Sequence, residues 1–461
     1  MKRRDRPSCY WGIGVVPRAR IGVTRLWGEA NRTNGYLAES LTLLGSWGVA
    51  QPDSSPVRAR LAGIEGLRGL AASSIVVYHV WLYGSSTRAP VDFGALDKVF
   101  VNLRAGVTLF FVLSGFLLFL PYAAAALRNL PAPSVRKYLR NRALRILPAY
   151  WAILLVVALV LQPALLRAPV QLGANLLFLQ NYVPNYVGYV SGLGIVPAWS
   201  LAIEVVFYLA LPALGLAAIR LAGRTGSVAA ALAPVVFMTC LGIAAKLADV
   251  LVAGDAKRVW ELTFPTHADW FGAGMAVAVA RVLWEDGRLQ LPTWWRPAAT
   301  LGAIALTLAG AGLYEVGLLS GLENQTPIAW AFALLLALVS LPARRSWLVR
   351  LLEMRAMIAV GLASYSLFLW HDPIVRALRD AGLTLQGRSG FLVNLLVVSA
   401  VAGAASALTY RFVERPALAR KHSWQGAAQQ TSPPEQAPPP RPSAPEEPEL
   451  QTVAAPGTRA G

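Results

Sequence analysis

The chain has 461 residues, of which 56% are hydrophobic and only 14% are charged, and its mean hydropathy is +0.49. Because this composition is too apolar for a soluble protein of that length, it predicts an all-α polytopic membrane protein. Two cysteines without a spaced partner and four scattered histidines argue against a disulfide framework and against a bound metal.

The first 57 residues differ from the rest of the chain. They are basic and rich in Gly, Arg and Trp, and they lack both helical periodicity and the compact apolar core of a signal peptide. We expect residues 1–57 to form an unstructured extension. The alternative is a misassigned start, with translation beginning at Val49 or Val57, so that the extension is not part of the mature protein.

Ten mostly apolar segments follow, each close to or above the length of about 18 residues that crosses a hydrocarbon core. Their predicted bounds are 63–84, 105–127, 147–166, 197–219, 229–253, 264–284, 296–320, 326–342, 356–380 and 390–413. An even number of spans places both ends of the chain on the same side of the membrane.

The basic residues indicate which side this is. The segment between the second and third spans has six basic residues and no acidic one: Arg128, Arg136, Lys137, Arg140, Arg142 and Arg145. Because cytoplasmic loops collect Lys and Arg, both termini are predicted to be cytoplasmic. Arg376, Arg379 and Arg388, around the last outer loop, fit this topology less well. The net charge of +18 is therefore attributed to topology and anionic lipid, and not to nucleic-acid binding.

The first span carries Glu65, Arg68 and His79 in otherwise apolar sequence. Eleven steps of about 100° place Arg68 and His79 on one helix face, about 16 Å apart along the axis. Ionisable groups inside a membrane span are by default candidates for a functional site. The structural alternative is that Arg68 extends to the interface and His79 makes an isolated polar contact.

The second and third spans carry two further candidate groups. Ser114 and Gly115 lie in an apolar helix, where close helix packing alone would explain them. Arg142 and Arg145 are three residues apart and share a helix face at the cytoplasmic mouth of the third span. Two guanidinium groups there suit a phosphate-bearing ligand, although ordinary cytoplasmic anchoring explains them equally well.

Polar groups also enter the fourth and ninth spans. Trp199 and Glu204 lie in the fourth span, and His371 and Asp372 lie in the ninth. A carboxylate at this depth needs a partner, so Glu204 is either a member of a structural ion pair or a catalytic helper. The predicted topology places His79, Glu204 and His371 in the outer half of the bilayer, where they can meet inside a bundle.

The C-terminal segment, residues 421–461, contains nine prolines among polar residues. Such a composition cannot compensate the entropy lost on folding, so we expect a disordered, Pro-rich cytoplasmic tail.

Taken together, the sequence resembles the acyltransferase 3 family of integral-membrane O-acyltransferases over about residues 61–416. The resemblance rests on six blocks in chain order: IEGLRGLA followed by His79, FFVLSGFLL, Arg142 and Arg145 followed by LPAYW, WSLAIEVVFYLALP, GLASYSLFLWHDP and SALTYRFVERP. It implies that residues 58–420 form a ten-helix domain in the bacterial cytoplasmic membrane. The expected reaction moves an acyl group, commonly acetyl, from acyl-CoA to a hydroxyl group, usually of a carbohydrate. No bound cofactor is expected.

The resemblance also implies roles for individual residues. His79 is expected to be the general base, and Arg68 to orient the donor or stabilise developing negative charge. Arg142 and Arg145 match the acyl-CoA motif, and Glu204 is expected to assist catalysis. The expected site-lining residues are Glu65, Ser114, Trp199 and His371. The chain departs from the family pattern at Ala198, at Val205 and Val206, and at His267, where an arginine is common; these departures concern acceptor contacts more than the reaction.

Three alternatives stay open at this point. Intramembrane Arg, His and Glu also mark the pathways of transporters or acyl-group channels. A membrane scaffold would use the basic loop and the Pro-rich tail to recruit partners. Within the enzyme interpretation, the acceptor would be a lipophilic natural product such as a macrolide instead of a carbohydrate.

Overall fold

The computed structural model describes residues 56–85, 89–183, 193–252, 255–317, 323–341 and 346–420, together with Gly461. Most of the predicted extension (residues 1–55) and of the predicted tail (421–460) lies outside the described residues. The chain divides into two compact units, Met1–Leu61 and Ala62–Gly461. All residues with a predicted role belong to the second unit.

Helices form the regular structure of the described residues, in which no β-strand occurs. The long helices are α1 (Pro56–Tyr83), α3 (Gly106–Arg128), α4 (Val135–Val156), α6 (Ala198–Ala222), α7 (Val228–Ala248), α9 (Ala268–Glu285), α10 (Trp295–Glu315), α11 (Gln325–Ser340), α13 (Arg355–Asp380) and α14 (Gly387–Thr409). The short helices are α2 (Asp97–Asn102), α5 (Pro169–Leu176), α8 (Asp255–Glu261) and α12 (Trp347–Leu352). Each of the ten predicted apolar segments overlaps one long helix.

Seven of the described helices are long and apolar enough to cross a membrane: α3, α4, α6, α7, α10, α13 and α14. The chain is therefore an integral membrane protein. The other three long helices depart from a simple span for local reasons: α1 carries Arg68 and His79, α9 carries Asp269 and Arg281, and α11 has only 16 residues. The ten crossings and the cytoplasmic position of both termini stay predictions.

Helix ends follow local sequence signals. Ser134, Ser227 and Ser346 precede α4, α7 and α12, and each side-chain hydroxyl accepts a hydrogen bond from a backbone N–H of the first turn. This contact satisfies a donor that the helix cannot pair internally. A π-helical turn, Tyr410–Glu414, continues α14 and directs the buried Glu414 side chain towards α4.

Two close helix contacts fix the positions of the polar side chains. Gly115 of α3 lies against the backbone of Phe271 in α9, and a Cβ atom at Gly115 would overlap the Phe271 carbonyl oxygen. Gly361 of α13 has the same relation to the carbonyl oxygen of Glu65 in α1. Small residues at such points let helix backbones approach closely. The α1–α13 contact brings the polar faces of these two helices together.

Candidate active site

The described residues line, among others, two cavities inside the helix bundle. The first, called here the arginine cavity, contains about 740 Å³ of empty space, open solvent included, and its polar lining residues include Arg68, Ser114, Arg142, Arg145 and Glu204. The second, called here the histidine cavity, contains about 1070 Å³ by the same measure and is lined by Tyr78, His79, Arg104, Trp199, His267 and Trp270, among others.

Four helices, α1, α3, α6 and α13, each place one residue at the arginine cavity and another at the histidine cavity or beside it. In α1, Arg68 lines the arginine cavity and His79 the histidine cavity; in α13, Ser364 lines the arginine cavity and His371 contacts His79. The order along the chain is reversed in the antiparallel helices: Thr108 precedes Ser114 in α3, and Trp199 precedes Glu204 in α6. The two cavities therefore lie one behind the other along the helix axes.

In the arginine cavity, Arg68 is held by two neighbours. Its Nη2 atom donates to Ser364 Oγ at 3.3 Å, and its Nε atom lies 3.5 Å from Glu65 Oε2. Ser114 Oγ donates a hydrogen bond to Glu204, whose carboxylate also interacts electrostatically with Arg68. The structure thus groups Glu65, Arg68, Ser114 and Glu204 on one side of the bundle.

The two arginines of α4 have different environments. Arg145 Nη1 lies 3.4 Å from Oε2 of the buried Glu414, and the Arg145 guanidinium lies 5.9 Å from the Tyr365 ring centroid. Arg142 has no ion pair within the described part of the chain, and its buried Nε atom has no hydrogen-bond partner there. Arg142 is therefore the arginine of this pair whose charge is free to meet a ligand.

The histidine cavity contains a pair of histidines from α1 and α13. His79 Nδ1 lies 2.6 Å from His371 Nε2, with the two ring planes 24° apart and the ring centroids 4.8 Å apart. His371 Nδ1 lies 3.1 Å from the carbonyl oxygen of Leu367. Since a carbonyl oxygen only accepts, His371 Nδ1 carries its proton and the Nε2 atom of the neutral ring accepts from His79 Nδ1–H. We infer that His79 Nε2 is unprotonated in the neutral ring, as a general base requires.

Neighbouring side chains hold the His79 ring. The Tyr83 ring lies nearly parallel to it, 5.6 Å away at 12°. The Arg376 guanidinium lies 4.9 Å from the centroid of Tyr83 and 3.0 Å from Asp372 Oδ1. Both histidines are buried, at 9% exposure for His79 and 1% for His371. The His79 ring therefore has little freedom to rotate.

The predicted meeting of His79, Glu204 and His371 is only partly observed. His79 and His371 are in contact, but Glu204 lines the arginine cavity with Arg68. The reason is axial position on α6. Trp199, at the start of that helix, faces the histidine cavity, and Glu204 lies about 7.5 Å further along the axis.

Arg104 and Trp270 of the histidine cavity had no distinct sequence signal, whereas His267 was marked in the sequence only as a departure from the family pattern. Arg104 donates a hydrogen bond to Asn324 Oδ1 at 3.5 Å, and its guanidinium lies over the Tyr314 ring. In the sequence it resembles any interfacial arginine. His267 lies 5.5 Å from Trp199 between ring centroids. Trp270 is 3% exposed, and its Nε1 donor has no hydrogen-bond partner among the described residues. These groups combine aromatic surface with free hydrogen-bonding capacity.

A family model described as an acyltransferase domain matches residues 61–411, which is most of the chain. The protein belongs to the acyltransferase 3 family.

Two relatives illustrate the range of similarity. The chain is 26% identical to the O-acetyltransferase OatA of Staphylococcus aureus over 375 residues, which cover 77% of this chain and 57% of OatA. It is 27% identical to the exopolysaccharide production protein ExoZ of Rhizobium meliloti over 321 residues, which cover 68% of this chain and 90% of ExoZ. The matched region thus spans little more than half the length of OatA. No solved structure gives a significant match.

Proposed function

We propose that the protein is a membrane-bound O-acyltransferase that moves an acetyl group from acetyl-CoA to a hydroxyl group of a cell-surface or exported glycan. The observation that carries this proposal is the axial arrangement of the two cavities, with free guanidinium charge in one and an oriented histidine pair at the other. The similarity to OatA supports an acetyl group, and the similarity to ExoZ supports a polysaccharide acceptor.

The arginine cavity would receive the donor. Arg142 lacks an acidic partner in the described residues, so its guanidinium would bind phosphate groups of CoA. Arg68, which lies further along the bundle and is held by Glu65 and Ser364, would orient the pantetheine arm towards the histidine pair. Arg145 would add positive charge to the cavity while pairing with Glu414.

The histidine pair would perform proton transfer. His79 Nε2 removes the proton of the acceptor hydroxyl as that oxygen attacks the thioester carbonyl carbon. The new C–O bond forms, the C–S bond breaks, and the imidazolium returns the proton to the leaving thiolate of CoA. Imidazole suits both steps because it accepts and releases a proton near neutral pH, a contribution of typically about 10²–10⁴-fold. His371 would orient His79 and stabilise its protonated form through the Nδ1–H hydrogen bond.

The proposed topology connects the two sides of the membrane. With ten crossings and both termini cytoplasmic, Arg142 at the start of α4 lies near the cytoplasm and His79 lies in the outer half of α1. The donor would enter from the cytoplasm and the acceptor from the outer face of the bacterial cytoplasmic membrane.

The lining of the histidine cavity favours a carbohydrate over a lipophilic acceptor such as a macrolide. Trp199 and Trp270 offer flat aromatic surface, while Arg104 Nε and Trp270 Nε1 are buried donors without a hydrogen-bond partner among the described residues. An apolar ligand would leave these donors without partners, which costs free energy. Family membership gives no support to the transporter and scaffold interpretations.

The test uses the full-length protein in lipid nanodiscs, acetyl-CoA labelled in the acetyl group, and two acceptor fractions from the source cells: envelope glycan and extracted small metabolites. We expect label in the glycan fraction with wild-type protein and none with His79→Ala. Label in the metabolite fraction alone would favour the natural-product acceptor. Absence of label from both would overturn the proposal.

A further inference from the structure

One aromatic side chain separates the two cavities. Among the described residues, Phe368 of α13 is the only one that lines both the arginine cavity and the histidine cavity. It is 8% exposed, and it precedes His371 by one helical turn on the same helix face. Its ring centroid lies 5.8 Å from that of His371.

Two residues of α3 extend this partition. The Phe110 ring meets Phe368 edge to face, at 5.9 Å and 73°. Phe111 contacts His267 and Trp270 of the histidine cavity, at 5.9 and 5.7 Å between ring centroids, while it also lines the arginine cavity. Phe110, Phe111 and Phe368 are called here the aromatic wall.

The members of the wall differ in how firmly they are held. Phe111 is 2% exposed and stacks on Phe271 at 4.6 Å, and Phe271 in turn stacks on Phe207 at 4.1 Å. Phe368 has only two ring contacts in the described residues, with Phe110 and with His371. Both rings belong to the hydrophobic core, but Phe111 is packed between other aromatic rings, whereas Phe368 bounds the space beside the histidine pair.

We propose that Phe368 limits the length of the acyl chain that the protein transfers. This inference rests on the proposed function, because it takes acyl-CoA as the donor. A donor held by Arg142 must bring its thioester carbonyl to His79, past the aromatic wall. The acyl substituent then lies against the Phe368 ring, which leaves room for a methyl group and excludes longer chains by overlap with its atoms.

The size of the effect follows from general experience with apolar pockets. One methylene group more or less changes the rate by about 10–200-fold in a site built for one chain length. Removal of the Phe368 ring would free the volume of several methylene groups. The transfer rate of the variant would then no longer fall with each methylene group added to the acyl chain. The arginines would be untouched, whereas the histidine cavity, which Phe368 also lines, would be enlarged.

The experiment compares acetyl-, propionyl-, butyryl- and hexanoyl-CoA with full-length protein in nanodiscs, with envelope glycan of the source cells as acceptor and released CoA thiol as the readout. For wild type, kcat/KM should fall at least about tenfold per added methylene. For Phe368→Ala, the ratio of butyryl to acetyl kcat/KM should rise at least about tenfold, with a smaller rise for Phe368→Leu. Phe391→Ala is the matched control, because Phe391 is also buried, at 4% exposure against 8% for Phe368, but lines neither cavity.

The outcomes separate the two proposals. If wild type releases no thiol from any donor, the proposed function fails. If wild type is active but Phe368→Ala and Phe391→Ala show the same profile of chain lengths, the inference is overturned while the function stands. If Phe368→Ala does not fold, as judged by gel filtration, Phe368→Leu decides: an unchanged butyryl-to-acetyl ratio overturns the inference.

Discussion

At the scale of single residues, the two nitrogens of the His79 ring have separate tasks in the proposed reaction. Nδ1 donates to His371, whose own proton is committed to the Leu367 carbonyl. Nε2 is thereby left with a free lone pair for the acceptor hydroxyl. The hydrogen-bond chain fixes which nitrogen is the base, an arrangement that enzymes commonly achieve with a group placed behind the catalytic imidazole.

His79→Ala should remove nearly all acetyl transfer while leaving the protein folded. The expected loss is at least about 10²-fold, the lower end of the usual contribution of a general base. The measurement is label transfer from acetyl-CoA, with gel filtration in detergent to check folding. Retention of more than about a tenth of wild-type activity would exclude His79 as the base.

In the proposed reaction His371 is a positioning residue, and its variants should show this in kcat. His371→Leu removes the acceptor for His79 Nδ1–H, so kcat should fall by about 10²-fold or more while the KM for acetyl-CoA is unchanged. His371→Gln places an amide oxygen within reach of the same N–H and should recover part of kcat. Equal activity of the Leu and Gln variants would contradict the orienting role.

At the scale of helices, the ion pair between Arg145 and Glu414 joins α4 to the turn that follows α14. Glu414 is 2% exposed and also accepts a hydrogen bond from Ser366. Loss of one partner of a buried pair leaves an uncompensated charge, which destabilises a protein by about 3–5 kcal/mol. Arg142 has no such ion pair among the described residues, so the contact between the two helices does not depend on its charge.

The two arginines of α4 should therefore respond differently to substitution. Arg142→Ala should raise the KM for acetyl-CoA with little change in thermal stability, and Lys should replace Arg142 poorly if the contact is bidentate. Arg145→Ala should lower the unfolding temperature, and the second substitution Glu414→Gln should restore part of it. An Arg145→Ala protein as stable as wild type would show that the ion pair does not stabilise the helix contact.

The close contact of α1 with α13 gives a second prediction at this scale. Gly361→Ala adds a Cβ atom onto the backbone of Glu65 and should reduce folded protein, because the two helices must separate. Gly403→Ala is the control, since a Cβ there meets nothing within 4 Å; it should be neutral or stabilising by up to about 1 kcal/mol. Yield and unfolding temperature in detergent measure both, and equal behaviour of the two variants would contradict the packing role of Gly361.

At the scale of the whole molecule, the predicted topology can be tested directly at the last outer loop, where the basic residues run against it. Alkaline phosphatase, which is active only outside the cytoplasm, should be inactive when inserted after Asn129 and active after Gly382. The reason is that the first position follows the second predicted span and the other follows the ninth. An inactive reporter after Gly382 would show that Arg376, Arg379 and Arg388 keep the last loop in the cytoplasm.

Much of the helical layout was predictable from the sequence, because span length and apolarity are local properties. The contact between His79 and His371 joins residues 292 positions apart, and sequence could only place both at one depth. The same reasoning wrongly added Glu204 to this group, since depth alone does not specify which neighbours a side chain faces. Phe368 gave no signal because a phenylalanine in an apolar span is indistinguishable from a packing residue.

The axial order of the two cavities has a consequence for the energetics of export. In the proposed reaction the acceptor is acylated on the outer side and the CoA thiol is released on the cytoplasmic side. The acyl group moves outwards and a hydrogen moves inwards in exchange, so no net charge crosses the bilayer. Moving one elementary charge against 100 mV would require about 2.3 kcal/mol, and free acetyl-CoA carries several charges. The proposed transfer is therefore electroneutral, and its overall free energy change should not depend on the voltage across the membrane, in contrast to the transport of a charged donor.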